Sequence, residues 1–231
     1  MPDKIKTGFL SGNMLKMIAL LTMTIDHVGA YLLPQYLILR IIGRIALPIF
    51  AFKIAEGCRY TKNRTKYLGL MLGISLIMQS VYFVVMKSLE MCIFVTFSLS
   101  ISLIYVIDYA RKRKGISGAA LIISGVCVVY AITRLLPGRV SGFSVDYGFW
   151  GVMLPVFIYM SSDRWGKLAL TALGLFFLVR SHGYIQLYAY MALPLLALYD
   201  GSRGKWNMKY LFYIYYPLHL VIIYFIGFLF Y

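Results

Sequence analysis

The chain has 231 residues, of which 61% are hydrophobic and only 13% are charged, and its mean hydropathy is +0.79. Soluble globular domains contain about 45–50% apolar and about 25% charged residues, so the composition excludes that class and predicts an integral membrane protein. The formal net charge is +15. Because the basic residues cluster in short loops between apolar runs, we interpret this charge as membrane topology and expect no nucleic-acid partner.

The cysteines and the first apolar run bear on metal sites and targeting. Cys58, Cys92 and Cys127 fall in or beside separate hydrophobic runs and form no Cys-x-x-Cys or Cys/His spacing. We therefore expect neither a metal centre nor a disulfide framework. The first apolar run carries charged residues and lacks a small-residue cleavage site, so we expect no cleavable signal peptide.

Hydropathy and helix breakers predict an all-α, polytopic membrane helix bundle with about nine transmembrane segments. The segments are Met14–Leu33, Tyr36–Ile54, Tyr67–Val85, Ile93–Tyr109, Ser117–Leu135, Phe149–Ser161, Leu168–Val179, Ile185–Tyr199 and Tyr210–Phe230. The sixth and seventh are short against the ~20 residues that a spanning helix needs. No internal repeat or linker is visible, so we expect one domain over residues 1–231.

The basic residues predict the orientation of the chain. With a cytoplasmic amino terminus, fifteen of the 23 Lys and Arg residues fall on the inner side: Lys4, Lys6, Arg59, Lys62, Arg64, Lys66, Arg111, Lys112, Arg113, Lys114, Arg164, Lys167, Arg203, Lys205 and Lys209. Only four fall outside, namely Lys87, Arg134, Arg139 and Arg180, and the remaining four lie inside hydrophobic segments: Lys16, Arg40, Arg44 and Lys53. This asymmetry follows the positive-inside rule and predicts a multi-pass protein of the cell (cytoplasmic) membrane with its amino terminus in the cytoplasm.

The first segment contains ionisable residues at membrane depth. Asp26 and His27 stand side by side in an apolar run, and such residues mark functional sites because a charge there is costly. Lys16 precedes His27 by eleven residues, which places the two on one helix face about 16 Å apart. Lys16 alternatively snorkels to the headgroups, and Asp26–His27 alternatively forms a structural pair. Asp26 lies ~100° around the helix from His27, so we expect it to pair with an arginine or another helix.

The second segment places two arginines one helical turn apart, Arg40 and Arg44. An arginine keeps its charge, so each needs a carboxylate, a phosphate or water inside the bundle. Pro48 follows and predicts a kink around a cavity. Glu56 ends the segment beside a basic loop that includes Arg64. That loop is a candidate for binding nucleotide phosphates, or an ordinary cytoplasmic loop.

Two further candidates lie in the second half of the chain. His219 follows Tyr216 in the proline-containing last segment, where we expect it near mid-membrane like His27. A lone histidine in an apolar helix is alternatively structural. Asp146 precedes the sixth segment on the predicted outer side. Two histidines near an acid suit general-base chemistry, because imidazole titrates near neutral pH.

Several blocks of the chain together resemble the TraX family. They begin with Leu15-Lys16…Ile25-Asp26-His27-Val28-Gly29 and Arg40-Ile41-Ile42-Gly43-Arg44-Ile45-Ala46-Leu47-Pro48, continue through Asp146-Tyr147-Gly148, and close with Tyr216-Pro217-Leu218-His219-Leu220. The blocks run in order from near the first residue to near the last. The resemblance implies an integral-membrane acetyltransferase; the name-giving member acetylates the amino terminus of conjugative pilin.

The chain is also similar to the wider group of transmembrane acyltransferases, which have a basic residue about ten positions before a first-helix histidine, as Lys16 stands before His27. The resemblance implies His27 as catalytic base, with Lys16, Arg40 and Arg44 holding the donor. From the residues themselves we add Asp26 and His219 as further catalytic candidates. We assign Lys16, Arg40, Arg44, Glu56 and Arg64 to the acetyl-CoA donor. Asp146 and Tyr216 are assigned to the acceptor.

The predicted function is transfer of an acetyl group from cytoplasmic acetyl-CoA to an amine or hydroxyl of an envelope or secreted acceptor, with the lipid bilayer as surroundings and no metal. Two alternatives remain open. Intramembrane Asp, His and Arg residues also build proton relays, as in a proton-coupled exporter. A non-catalytic partner in a secretion or pilus machine is the third reading, and it requires no role for Asp26 or His27.

Overall fold

The computed structural model describes residues 8–113, 115–205 and 209–230. Lys4, Lys6 and Lys114, which contribute to the predicted charge asymmetry, lie outside these residues. The elements are α1 (Gly12–Tyr31), α2 (Leu37–Gly43), α3 (Ala46–Tyr60), α4 (Arg64–Met86), β1 (Glu90–Met91), α5 (Ile93–Arg111), α6 (Ile116–Tyr130) continued by a π-helix (Ala131–Leu135), β2 (Ser144–Val145), α7 (Gly148–Met160), α8 (Arg164–His182), a 3₁₀-helix (Tyr184–Met191), α9 (Ala192–Ala197) and α10 (Lys209–Phe230).

The predicted all-α class is confirmed, with two small strands added. Strands β1 and β2 pair in parallel over two residues each, with Glu90 opposite Ser144. Gln79 supports this pair, since its side-chain amide donates to the Glu90 carbonyl at 3.0 Å. Two-residue strands leave no alternation that a sequence pattern could reveal, so hydropathy does not predict them.

The second predicted segment is two helices rather than one. The chain breaks between α2 and α3 at Arg44 and Ile45, four and three residues before Pro48. A proline has no N–H and its ring clashes with the carbonyl four residues earlier, which here belongs to Arg44. Pro48 therefore stands in the first turn of α3, where an N–H would have no helical partner. The predicted kink is thus a full break, placed one turn earlier than the proline.

The later segments differ from the predicted ones in length and type. The seventh is the 19-residue helix α8, which extends beyond its apolar run at both ends. The eighth is a 3₁₀-helix followed by the short α9. Pro194 is the third residue of α9 and cannot donate to the carbonyl of Tyr190, so the α-helical hydrogen-bond ladder lacks one hydrogen bond at the point where the 3₁₀-helix gives way to α9.

The fold divides into two compact units. The first contains the described residues up to Lys53 and those from Thr171 onward, and the second is Ile54–Leu170. In the first unit, Leu15, Ile49 and Leu196 are fully enclosed. Ile104 and Leu154 are likewise enclosed in the second.

Three helices of the described residues are long and apolar enough to cross a bilayer, by length and composition. They are Arg64–Val84, Ile93–Arg111 and Ile116–Leu135. Shorter apolar helices follow at Gly148–Met160, Tyr184–Ala197 and Ile214–Leu229. The chain is therefore a membrane protein.

Helices α1 and α2 approach closely because glycines stand where they meet. A Cβ on Gly29 would lie 2.6 Å from the Cβ of Leu39, and one on Gly43 would lie 2.5 Å from the Cγ of Asp26. Real Cβ atoms do not approach other atoms so closely. The two glycines therefore allow α2 to bring its arginines against α1.

We expect Gly43→Ala to displace the Asp26 carboxylate and to lower the stability of the protein by about 1–3 kcal/mol, the usual cost of overpacking. Thermal unfolding in detergent measures the effect. Gly73→Ala is the matched control, because nothing lies within 4 Å of the added methyl group. Equal unfolding temperatures of the two variants would contradict the proposed close contact.

Helix α8 begins at an aspartate cap. The Asp163 carboxylate accepts from the backbone N–H of Gly166 at 2.7 Å and from the Ser161 hydroxyl at 2.7 Å. These two hydrogen bonds, the backbone one first, hold the pKa of Asp163 below its usual range. A cap of this kind accepts a hydrogen bond from a first-turn N–H that has no partner within the helix.

A lowered pKa means that the ionised cap stabilises the fold above the unfolded pKa, and that this contribution disappears as pH falls through the folded pKa. We expect acidification to lower the protection factors of the amides in the first turn of α8, that is, their protection after the intrinsic pH dependence of exchange is divided out. In Asp163→Asn the side chain does not titrate, so this acid-dependent loss of protection should vanish. An unchanged pH dependence in the variant would contradict the assignment.

Candidate active site in the first unit

Asp26 neutralises two arginines. Its Oδ2 accepts from Nη1 of Arg40 at 2.7 Å, and its Oδ1 accepts from Nη2 of Arg44. The residue Arg44 is 4% exposed and Asp26 is 8% exposed. The expectation that Asp26 pairs with an arginine rather than orienting His27 is confirmed. One carboxylate facing two guanidinium groups leaves this cluster with a net positive charge.

His27 and His219 are in direct contact. Nδ1 of His27 lies 2.7 Å from Nε2 of His219, across 192 residues of sequence. The two rings stack with their centroids 5.0 Å apart. His27 is half-buried on α1, whereas His219 is buried on α10. The structure thus brings together two of the three residues that we predicted to be catalytic.

Aromatic side chains surround the histidine pair. Tyr216 is buried and presents its ring edge-on to both histidines, 6.3 Å from His27 and 5.3 Å from His219. The ring of Tyr215 stacks on His219 at 5.3 Å, and its hydroxyl lies 2.8 Å from that of Thr24. Tyr31 covers His27 at 6.2 Å. The predicted acceptor residue Tyr216 therefore packs beside the candidate base.

The beginning of α1 is rich in positive charge. Lys16 is half-buried, and Arg203 lies close enough for the two positive charges to repel each other. The Arg203 carbonyl accepts from the N–H of Asn13 at 3.0 Å, which fixes its loop against the helix. Lys53 donates to the Tyr199 hydroxyl at 3.1 Å and lies 4.5 Å from that ring's centroid.

Glu56 and Arg64 belong to the second unit, and each forms an ion pair there. Nζ of Lys167 donates to Oε1 of Glu56 at 2.5 Å, with both residues buried. The charge pattern predicts Lys167 in a cytoplasmic loop, but it lies in the first turn of α8. Arg64 lies 2.6 Å from Oδ2 of Asp108, which also accepts from the Tyr159 hydroxyl at 2.7 Å. These contacts give Glu56 and Arg64 a structural partner each.

Asp146 holds a turn together through its backbone. Its N–H donates to the Met91 carbonyl at 3.0 Å, and its own carbonyl accepts from Thr96 at 2.7 Å. The residue itself is exposed. Thr96 and Asp108 stand near opposite ends of α5, about 18 Å apart along the helix. Asp146 and Arg64 therefore lie at opposite ends of this unit.

Three residues that contact the predicted site residues are not predicted from the sequence, and they are of two kinds. Asp108 carries the same signal as Asp26, an acid inside an apolar segment, and that signal could have identified it. Lys167 and Tyr215 carry no signal, because a base near a helix end and a tyrosine in an aromatic helix are both ordinary. Among the described residues, no group of three His, Cys, Asp or Glu side chains is arranged to hold a metal ion.

Comparisons with known proteins agree with the sequence blocks. The TraX protein family matches residues 11–227. The chain is 26% identical to the "Probable fimbrial assembly protein FimC, serogroup H1" of Dichelobacter nodosus over 242 residues, which cover 90% of this chain and 92% of the relative. It is also 48% identical over 56 residues to the "Uncharacterized protein RP591" of Rickettsia prowazekii (strain Madrid E), covering 24% and 22% of the two chains. No solved structure matches. Because the family match covers nearly the whole chain, this protein belongs to the TraX family.

Proposed function

We propose that the chain is a membrane-embedded acetyltransferase that uses acetyl-CoA and employs His27 as its general base. The contact of 2.7 Å between Nδ1 of His27 and Nε2 of His219 carries this proposal. A neutral imidazole can accept a proton, and the second imidazole holds the ring of His27 in place. Membership of the TraX family supports the reaction type, as the resemblance implies pilin acetylation for the name-giving member.

The proposed reaction is a direct acyl transfer. The acceptor amine or hydroxyl attacks the thioester carbonyl carbon of acetyl-CoA while His27 accepts the proton of the acceptor. A C–N or C–O bond forms, the C–S bond breaks, and the proton passes from His27 to the departing thiolate. The products are the acetylated acceptor and CoA with a free thiol, so no oxidant, metal or further reactant is required.

The basic residues at the beginning of α1 support binding of a phosphate-bearing donor. We propose that Lys16 contacts the donor phosphates, with Arg203 and Lys53 adding positive charge nearby. Arg40 remains a donor contact in this proposal, because 30% of its side chain is exposed while it pairs with Asp26. For Arg44, Glu56 and Arg64, the ion pairs described above favour a structural role over donor binding.

The proposed acceptor is an amine or hydroxyl of an envelope or secreted molecule. The name of the Dichelobacter relative, which the alignment covers almost completely, favours a component of fimbrial assembly. Asp146 and Tyr216 remain proposed acceptor contacts. The proposed topology is about nine crossings of the cell membrane with a cytoplasmic amino terminus, supported by the fifteen-to-four distribution of basic residues.

A reconstitution experiment tests this function. The purified protein in liposomes is supplied with acetyl-CoA labelled in the acetyl group, together with an envelope extract as acceptor. We expect labelled acetyl groups on an extract component and an equal release of free CoA thiol. Empty liposomes are the control. Passage of an extract component across the bilayer without acetylation would overturn the proposal in favour of an exporter.

A further inference from the structure

We propose that His219 is a positioning residue that holds His27 as its Nδ1–H tautomer, so that Nε2 of His27 is the basic atom. This inference rests on the proposed function, because it assigns the reacting nitrogen of the proposed base. It is carried by two hydrogen bonds of His219, one at each ring nitrogen.

The first hydrogen bond settles the proton on Nδ1 of His219. This nitrogen lies 3.0 Å from the backbone carbonyl oxygen of Tyr215, one helical turn earlier in α10. A carbonyl oxygen only accepts hydrogen bonds, so Nδ1 of His219 must donate and carries a proton. In a neutral imidazole the other nitrogen is then an acceptor, so Nε2 of His219 carries no proton and accepts through its lone pair.

The second hydrogen bond then determines which ring nitrogen of His27 carries the proton. Nε2 of His219 lies 2.7 Å from Nδ1 of His27, and one of the two must supply the proton between them. Since Nε2 of His219 accepts, Nδ1 of His27 donates. The remaining nitrogen of His27, Nε2, then holds the free lone pair of the neutral ring.

A charged His219 would reverse the assignment, but its surroundings disfavour that state. His219 is buried, and burial of an isolated charge among apolar and aromatic groups is costly. Asp26, the neighbour of His27 in sequence, is already shared by Arg40 and Arg44. The local charge is therefore positive while both imidazoles are neutral, which opposes a resting imidazolium ion.

The arrangement also assists the proposed base during the reaction. When Nε2 of His27 accepts a proton, the resulting imidazolium still donates from Nδ1 to the lone pair of His219. A neutral acceptor in that position stabilises the transient positive charge. The carbonyl of Tyr215 cannot take up a proton, so the chain of hydrogen bonds ends there and His219 orients the base instead of relaying the proton onward.

Nitrogen NMR of the protein in liposomes tests the tautomer without measuring activity. The chain has three histidines, so ¹⁵N-histidine labelling yields three imidazoles, and His27→Gln and His182→Gln assign them. We expect a protonated, pyrrole-type Nδ1 and a bare, pyridine-type Nε2 for His27. A bare Nδ1 on His27, with or without acetyl transfer, would overturn the inference.

Two substitutions of His219 separate positioning from a purely structural role. His219→Asn retains an amide able to reach the Tyr215 carbonyl but not His27, whereas His219→Gln places an oxygen near the former Nε2. We expect the Asn variant to lose between about 10-fold and about 10⁴-fold in kcat, the upper value being that of a triad with the wrong tautomer. KM should remain unchanged, and the Gln variant should recover part of kcat.

Equal kcat values for wild type and His219→Asn would overturn the inference even if the wild-type enzyme is active. A raised KM together with a lowered kcat in both variants would indicate a structural role for His219 and would also overturn the inference. A wild-type protein with the expected tautomer but no transfer of acetyl groups would instead refute the proposed function. The two failures are therefore distinguishable.

Discussion

Replacing His27 with alanine is expected to reduce acetyl transfer by about 10²–10⁴-fold, the usual contribution of a general base. The imidazole is the group proposed to accept the proton of the acceptor, and the structure gives it a partner in His219 at 2.7 Å. The measurement is release of free CoA thiol, coupled to labelling of the acceptor, by the protein in liposomes.

His182 provides the matched control for this experiment. It is an exposed histidine at the end of α8 in the same unit, where its Nδ1 lies 2.7 Å from the Ser181 hydroxyl. We expect His182→Ala to retain wild-type turnover. His27→Gln keeps most of the side-chain volume without a base, so it serves if the alanine variant fails to fold. Wild-type turnover in a folded His27 variant would refute the proposed mechanism and favour a non-catalytic assembly role.

Replacing Asp26 with asparagine is expected to destabilise the protein by about 3–5 kcal/mol, the cost of removing one partner of a buried ion pair. The carboxylate faces Arg40 and Arg44, so the variant leaves the buried Arg44 and the partly exposed Arg40 without this negative charge. The free energy of unfolding in mixed detergent micelles measures the effect. Asp163→Asn is the control, since it removes an acid from an exposed turn and asparagine remains a good helix cap.

A second substitution distinguishes the two arginines. The Arg44 side chain is 5% exposed and that of Arg40 is 30% exposed, so an unpaired Arg44 costs more. In the Asp26→Asn background, Arg44→Gln should therefore recover more stability than Arg40→Gln. Wild-type stability in Asp26→Asn, or equal recovery by the two double variants, would contradict the proposed role of the cluster.

The helical repeat predicts part of the pairing of Asp26 but not all of it. A spacing of one residue on a helix turns a side chain by ~100°, so the helical repeat alone assigns Asp26 and His27 to different neighbours. The same repeat cannot indicate that both arginines share one carboxylate. That outcome depends on the break before α3 and on Gly43, which lets α2 approach Asp26.

Other features of the fold depend on contacts between distant segments and are therefore not predicted from the sequence. By its position in the sequence, Lys167 is one more basic residue at a helix end, and only the packing of α8 against Glu56 shows that it is buried in an ion pair. The strands β1 and β2 also depend on pairing between segments more than fifty residues apart. Neither feature has a local periodicity that hydropathy could detect.

The sequence by itself determined that this is a helical membrane protein, that its family-specific blocks lie in the first, second and last segments, and that Asp26 and His27 occupy an apolar helix. The first and last conclusions follow from composition and from the order of residues along the chain, whereas the family blocks follow from the resemblance. The tertiary structure alone decided that His27 meets His219, because 192 residues separate them and only the packing of α1 beside α10 joins them. That contact joins two histidines that are isolated from each other in the sequence.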